Sequence, residues 1–424
     1  MKFGASRPTP LGRAPHGQVL GPESGLRVWA IAALVAIGAL ACGCQTARPP
    51  PPPPHVVAPP PETRVLPQRS EQPYYYRLRH TAEGHTPVRV AILLPLTSPS
   101  AETRALADAL EKAAELALFE SGNGDIIIMP RDDGGSPAQA AQAASAAIND
   151  GAEIILGPLF AQAVTAVAPI ARAQGVPVIA FSSDRAVGGD GVYLLSFQPE
   201  DEVARIVSYA ARHGHSNFAA LVPANAYGGK VEAAFRASVE DQHGQVVDVE
   251  RFEPKPDTVA APAHAVEAAN PDAILIAQGG PVLKAMAPAL APTPSVKLLG
   301  TSLWDDSSIQ NETLLAGGWF AAPSQEQWRG FAERYSTTYG ARPPRIASLA
   351  YDAMSLVALL AKGTPYQRYT DAALTDPNGF SGIDGIFRFR NDGAIERGLA
   401  VMEVAPEGFR VVDPAPRTFE QLGS

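Results

Sequence analysis

The chain has 424 residues, of which 46% are hydrophobic and 18% charged, enough apolar material to bury cores in more than one domain. Its formal net charge of -9 carries no clustered Lys and Arg surface of the kind that phosphate backbones require, so nucleic acid is not an expected partner. The two cysteines, Cys42 and Cys44, both stand near the N-terminus, which excludes disulfide frameworks, cysteine zinc sites and cysteine nucleophiles from the rest of the chain.

The first element is an apolar run, Val28 to Ala41, preceded by Arg27 with Arg13, Arg7 and Lys2 further back. Its length of about 14 residues is short of the ~20 a membrane span needs and fits a secretory leader. The stretch before it is long for such a leader, which leaves a start downstream of Met1 open. The run ends in ALACGCQT, where small residues before a cysteine resemble the lipobox of bacterial lipoproteins. Cys44 is the expected lipidation site, with Cys42 as the alternative. In lipoproteins of this kind an Asp after the acylated cysteine favours the inner membrane. Neither Gln45 nor Gly43 is Asp, which implies outer-membrane anchoring facing the periplasm rather than the inner membrane. Six prolines from Pro49 to Pro54, then Pro59 to Pro61, Pro67 and Pro73, predict an extended polyproline II spacer.

From Val88 the pattern changes to short apolar runs alternating with Ala-rich segments of helical length. VRVAILLP is a predicted strand, Ala101 to Glu120 a helix and DIIIMP a second strand; Ser136-Pro137 then opens a helix that ends near Gly151. EIILGP, VPVIAF and VYLLSF follow as strands. After Gln198-Pro199-Glu200-Asp201 the rhythm restarts with a helix through Ile206 to His213, FAALVP, a helix from Lys230 to Asp241, VVDVERF, a further helix, DAILIAQG and VKLLG. Helices around Gln325 to Tyr339 and Ile346 to Lys362 come next, then a hairpin from Gly385 to Val404 turning at Asn391-Asp392-Gly393. Strands and helices alternating in this way predict an α/β protein with parallel sheets and right-handed crossovers.

The ordered set D-D-x-x-S-P-x-x-A (Asp132 to Ala140), I-N-D-G-A-E-I-I-L-G-P to Pro158, A-Y-D-A (Ala350 to Ala353), G-I-D-G-I-F-R-F and N-D-G resembles type I periplasmic binding proteins of the leucine-binding kind. With the lipoprotein leader, the proline stalk and VPVIAFSSD…GVYLLSF, it is similar to the penicillin-binding protein activator branch. The resemblance implies two Rossmann-like lobes joined by three crossover segments, with ligand between them at the carboxyl ends of strands. Expected boundaries are 1–43 for the leader, 44–85 for the linker, 86–201 plus 325–375 for lobe I, and 202–324 plus 376–424 for lobe II.

The same resemblance supplies candidate ligand-binding residues: Leu159, Phe160, Ser182, Ser183, Asp184, Phe197, Tyr227, Gly279, Trp304 and Asp305. The turn Gly157 to Ala161 lacks the hydroxyl the family often has there. Ser182 and Ser183 retain hydroxyls that either hold a carboxylate or cap turns. Tyr227 and Trp304 either cover ligand or pack at the lobe edge. Trp304 stands where amino-acid receptors place an acid for the ammonium, with Asp305 and Asp306 adjacent as substitutes. Asp132 and Asp133 read as turn formers.

No G-x-S-x-G elbow, phosphate loop or H-E-x-x-H motif is present, so neither an enzyme nor a cofactor is expected. His213-Gly214-His215 has no third ligand in view, and no metal is expected. Two readings follow. In one, the fold is a docking surface that stimulates a peptidoglycan synthase; in the other, it is a receptor handing an amino-acid-like solute to an ABC permease.

Overall fold

The computed structural model of the chain describes residues 75–78, 87–290, 296–310 and 312–422. The leader, Cys42, Cys44 and the proline-rich stretch lie outside the described residues. In chain order the first elements are β1 (Tyr76–Arg77), β2 (Val88–Leu94), α1 (Ala101–Ser121), β3 (Ile126–Asp132), α2 (Pro137–Asn149), β4 (Ile154–Leu156), α3 (Ala161–Ala173), β5 (Val178–Ala180) and β6 (Val192–Leu194). They form a six-stranded sheet in the order β1-β3-β2-β4-β5-β6, parallel throughout except for β1. The helices begin where local chemistry satisfies the free amides of a first turn. Ser100 accepts from the Thr103 amide ahead of α1, and Ser136 accepts from the Gln139 amide ahead of α2, with Pro137 in the first helical position.

The second series runs α4 (Pro199–Arg212), β7 (Asn217–Pro223), α5 (Ala226–Asp241), β8 (Gln245–Phe252), α6 (Ala260–Ala268), β9 (Ala273–Ile276), α7 (Gly280–Met286), β10 (Lys297–Gly300) and β11 (Trp319–Ala322). Then come α8 (Gln325–Tyr339), α9 (Ala347–Leu360), α10 (Asp371–Leu374), β12 (Phe380–Gly382), β13 (Gly385–Phe389), β14 (Ile395–Arg397), β15 (Ala400–Ala405) and β16 (Gly408–Asp413). The second sheet has the order β16-β15-β11-β10-β9-β7-β8 and is parallel up to β11, with β15 and β16 added antiparallel.

Each sheet is buried on both faces, as the continuous apolar strands require. Beneath the first, α1, α8 and α9 cover one core and α2 and α3 the other. Around the second, α6 and α7 lie on one side and α4 and α5 on the other. The chain passes between the two sheets three times among the described residues: at 195–198 after β6, at 323–324 after β11 and at 398–399 after β14.

The C-terminal hairpin departs from expectation. Its turn is where the sequence puts it, with Phe389 opposite Ile395 and the Gly393 amide donating to the Arg390 carbonyl at 2.9 Å. Its second strand, however, ends at Arg397 instead of running on to Val404, and Ala400–Ala405 pairs with β11 in the other sheet. Phe387, Phe389 and Ile395 alternate inward and join the core of the first sheet, Phe389 against Tyr193 at 5.3 Å. Strands β12 to β14 therefore pack with the first sheet, which corrects the assignment of all of 376–424 to the second lobe.

Candidate functional site

The segments that follow β5 and β7 meet through Lys230. On the first side, β4 runs into Gly157, whose φ of +85° and whose α-carbon facing the Leu93 carbonyl leave no room for a side chain; a Cβ there would sit 2.1 Å from that oxygen. Leu159 is buried, and Phe160 is half-buried at the start of α3. After β5, Ser182 is buried and its hydroxyl accepts from the Asp184 amide at 3.1 Å. The Asp184 carboxylate in turn accepts from the Ala186 amide at 3.2 Å. The Ser182 hydroxyl thus shapes the turn, while Ser183 is exposed.

On the opposite side, the Tyr227 hydroxyl meets the Thr301 hydroxyl at 3.1 Å, and burial together with Glu202 holds its pKa far above the usual phenol value. One turn further along α5, the Lys230 ammonium donates to the Ser183 carbonyl at 3.2 Å and lies 3.6 Å from the Asp184 carboxylate. Lys230 joins the candidate site although sequence reasoning used it only to mark a helix start. Its position two turns or fewer beyond a strand end was the available signal. Glu202 was also missed. It lies in the first turn of α4, buried, where the Ser302 amide and hydroxyl donate to it at 2.9 and 2.7 Å, and burial pushes it up to about 7.

Trp304 is not at the cleft. It is fully buried in the core of the second sheet, with its indole N–H donating to the Ile276 carbonyl at 3.2 Å. Gly300 and Gly318 make the space: a Cβ at either would fall 2.3 or 2.8 Å from its rings. Expectation of a ligand cover at this position is therefore corrected to a core role. Gly279 also has a packing reason, since a Cβ there would stand 2.1 Å from the Leu303 carbonyl.

Asp305 and Phe197 fall elsewhere, at the crossings between sheets. Asp305 accepts from Gln325 at the start of α8 and lies 3.8 Å from Arg345, while burial raises its pKa. Phe197 lies under the Arg397 guanidinium at 5.2 Å. Arg397 is itself buried at the third crossing and donates to the Ser196 carbonyl of the first at 3.2 Å. Around it stand two buried carboxylates, the Asp of A-Y-D-A and the Asp of G-I-D-G. Asp352 accepts from the Ile383 amide at 2.7 Å, and Asp384 pairs with Arg345 at 2.7 Å. Arg345 also donates to the Ser324 carbonyl of the second crossing at 3.2 Å. One ionic cluster thus touches all three crossings. Asp132 and Asp133 hold the turn after β3, accepting from the Gly134 and Gly135 amides at 2.9 and 2.8 Å.

Among the described residues no group of three or more His, Cys, Asp or Glu side chains is placed to hold a metal ion. The imidazoles of His213 and His215 pack against Trp319 at 5.3 and 5.9 Å. No helix among the described residues is long and apolar enough to cross a membrane.

This pair of doubly covered sheets, with strand ends facing each other and three crossings, matches the family model described as periplasmic binding protein over residues 87–408. The chain belongs to the periplasmic binding protein family. Solved structures of similar fold include a putative branched-chain amino acid ABC transporter of Rhodospirillum rubrum, 22% identical, with a TM-score of 0.68 and covering 77% of this chain and 100% of that one. A substrate-binding protein of Desulfitobacterium hafniense, in complex with Leu, is 19% identical with a TM-score of 0.59, covering 77% of this chain and 99% of its own. A solute-binding protein of Rhodopseudomonas palustris, in complex with 3,4-dihydroxybenzoic acid, is 19% identical with a TM-score of 0.57, covering 78% and 99%. An uncharacterized protein of Rickettsia prowazekii (strain Madrid E) is 24% identical over 107 residues, 25% of this chain. The match spans 29% of that relative's length.

Proposed function

We propose that this chain is a non-catalytic envelope receptor that binds a small carboxylate-bearing solute, an amino acid or a related acid, between its lobes and delivers it to an ABC permease. The observation that carries this reading is Lys230, a cation held at the mouth of the strand-end cleft beside Ser183 and Tyr227. A carboxylate reaching that point meets the ammonium and the free hydroxyl of Ser183. The ligands named for the similar proteins of D. hafniense and R. palustris, leucine and 3,4-dihydroxybenzoic acid, both carry a carboxylate. Lipidation at Cys44, with Cys42 as the alternative, and the proline stretch would tether the receptor to a membrane facing the periplasm.

Thermal denaturation of the full chain against amino acids and aromatic acids tests the reading. A ligand at 100 times its dissociation constant adds about 2.7 kcal/mol. Absence of any shift across both classes would remove the receptor function.

A second reading, docking onto a penicillin-binding protein to stimulate peptidoglycan synthesis, is favoured by one feature. The turn from Gly157 to Ala161 offers no hydroxyl to a ligand. Retention of a peptidoglycan synthase by the immobilised chain, together with no solute-induced shift, would favour that reading over transport.

A further inference from the structure

Beside the second crossing, between α8 and the loop that follows β10, lies a cavity of about 860 Å³. Most of the candidate cleft residues do not line it; Phe197 and Asp305 do. Its charges are sorted by wall. The wall built by α8 and the segment after it carries Arg329, Arg342 and Arg345, against a single acid, Glu333. The loop wall carries Asp305 and Asp306.

The cationic wall is available to a ligand. Among the described residues, Arg329 and Arg342 make no ion pair, and both are exposed. Arg345 lies over the Trp328 ring at 4.6 Å and is already engaged, pairing with Asp384 through one nitrogen and facing Asp305 at 3.8 Å with another. The unpaired guanidiniums of Arg329 and Arg342 match a carboxylate, which accepts parallel N–H bonds from such a fork. Leu303, 43% exposed, adds an apolar surface on the loop side.

The dimensions select among zwitterions. Beyond Gln325, which is held by Asp305, the lining runs along α8 from Trp328 to Ser336, about 12 Å at 1.5 Å per residue. A free amino acid holds its two charges on one carbon and cannot extend along that length. An extended peptide advances about 3.3–3.6 Å per residue, so three or four residues match it. The volume also lies in the upper part of the roughly 300–1,000 Å³ found for small-molecule sites.

We infer that this cavity is a second ligand site, built for a short peptide with free ends, its ammonium toward Asp305 and Asp306 and its carboxylate toward Arg329 and Arg342. The site lies away from Lys230 and stands whether or not the cleft takes a solute. Because Asp305 contacts Gln325 and Arg345 across the second crossing, an occupant would bear on the lobes at their joint.

Isothermal titration of the full chain with tri-alanine, N-acetyl-tri-alanine, tri-alanine amide and free alanine tests the site. Tri-alanine is expected to bind one to one. Blocking either end, or introducing Arg342→Gln or Asp306→Asn, is expected to weaken it about ten-fold or more, the worth of one charge-assisted hydrogen bond. Both variants change exposed side chains, and an unchanged melting temperature confirms that they fold. No heat with tri-alanine at millimolar concentration overturns the inference. So does binding that ignores both variants, which would put the peptide elsewhere and leave the cleft reading untouched.

Discussion

Lys230 of α5 reaches the turn after β5, donating to the Ser183 carbonyl at 3.2 Å and lying 3.6 Å from the Asp184 carboxylate, so one side chain ties the second sheet to the first across the strand ends. Both partners are partly solvated, with side-chain exposures of 34% and 43%, which limits such a pair to roughly 1 kcal/mol or less. Lys230→Ala is therefore expected to leave the melting temperature nearly unchanged yet to widen the ligand-free molecule, with a larger radius of gyration by small-angle scattering. High salt should produce the same widening in the unaltered chain. An unchanged radius in both tests would remove the latch role.

Arg397 is a buried cation that acts on two buried acids of the crossings, Asp352 and Asp384, the second of which also pairs with Arg345. Arg397→Met leaves Asp352 without its counter-charge while Asp384 keeps Arg345, and removing one partner of a buried charge pair in this way costs about 3–5 kcal/mol. Combining it with Asp352→Asn should recover part of that loss. Urea denaturation of the single and double variants measures both numbers. Strict additivity would mean that the two residues do not interact.

The buried acids also set a pH dependence. Glu202 rises from an ordinary 4.5 to about 7, and Asp133 and Asp201 to about 6, all chiefly through burial. A raised carboxyl binds its proton more tightly folded than unfolded, so stability is greatest below the unfolded value and falls as pH rises through the folded one. Unfolding free energy is expected to decline between about pH 4.5 and 7. Glu202→Gln, which keeps an oxygen to accept from Ser302, should flatten that decline and stabilise the chain at pH above 7. Urea denaturation across that range checks the slope, and a rising slope would contradict the burial of these groups.

Trp304 offers a contrast between core and cleft. Trp304→Ala empties a fully buried site against Phe320, a change worth about 3–5 kcal/mol. Asp305→Asn keeps the shape of its neighbour and should cost far less. Chemical denaturation separates the two. A small loss for Trp304→Ala would return that residue to the cleft.

The alternation of strands and helices was legible because each buried strand is a continuous apolar run bounded by turn residues, as in Val88–Leu94 and Ala273–Ile276. The hairpin turn at Asn391 to Gly393 was equally plain from its residues. Which sheet the hairpin joins was not, because period-two alternation gives Phe387, Phe389 and Ile395 a buried face without saying what buries it. Trp304 misled for a similar reason. An aromatic between a strand end and two acids looks exposed until Gly318, distant in sequence, is known to vacate space beside it. The ionic cluster of Arg345, Asp352, Asp384 and Arg397 depends on three chain crossings meeting, and nothing local to any one of these residues records that. The two aspartates were visible as parts of motifs, but their buried counter-charges were not.

Native mass spectrometry of the full chain, mixed with an equimolar pool of amino acids and hydroxybenzoic acids, addresses the receptor function most directly. Our account expects a one-to-one complex with a carboxylate-bearing solute, lost or strongly weakened in Lys230→Ala. A chain that stays bare with every member of the pool at millimolar concentration, or a complex indifferent to Lys230, would contradict it.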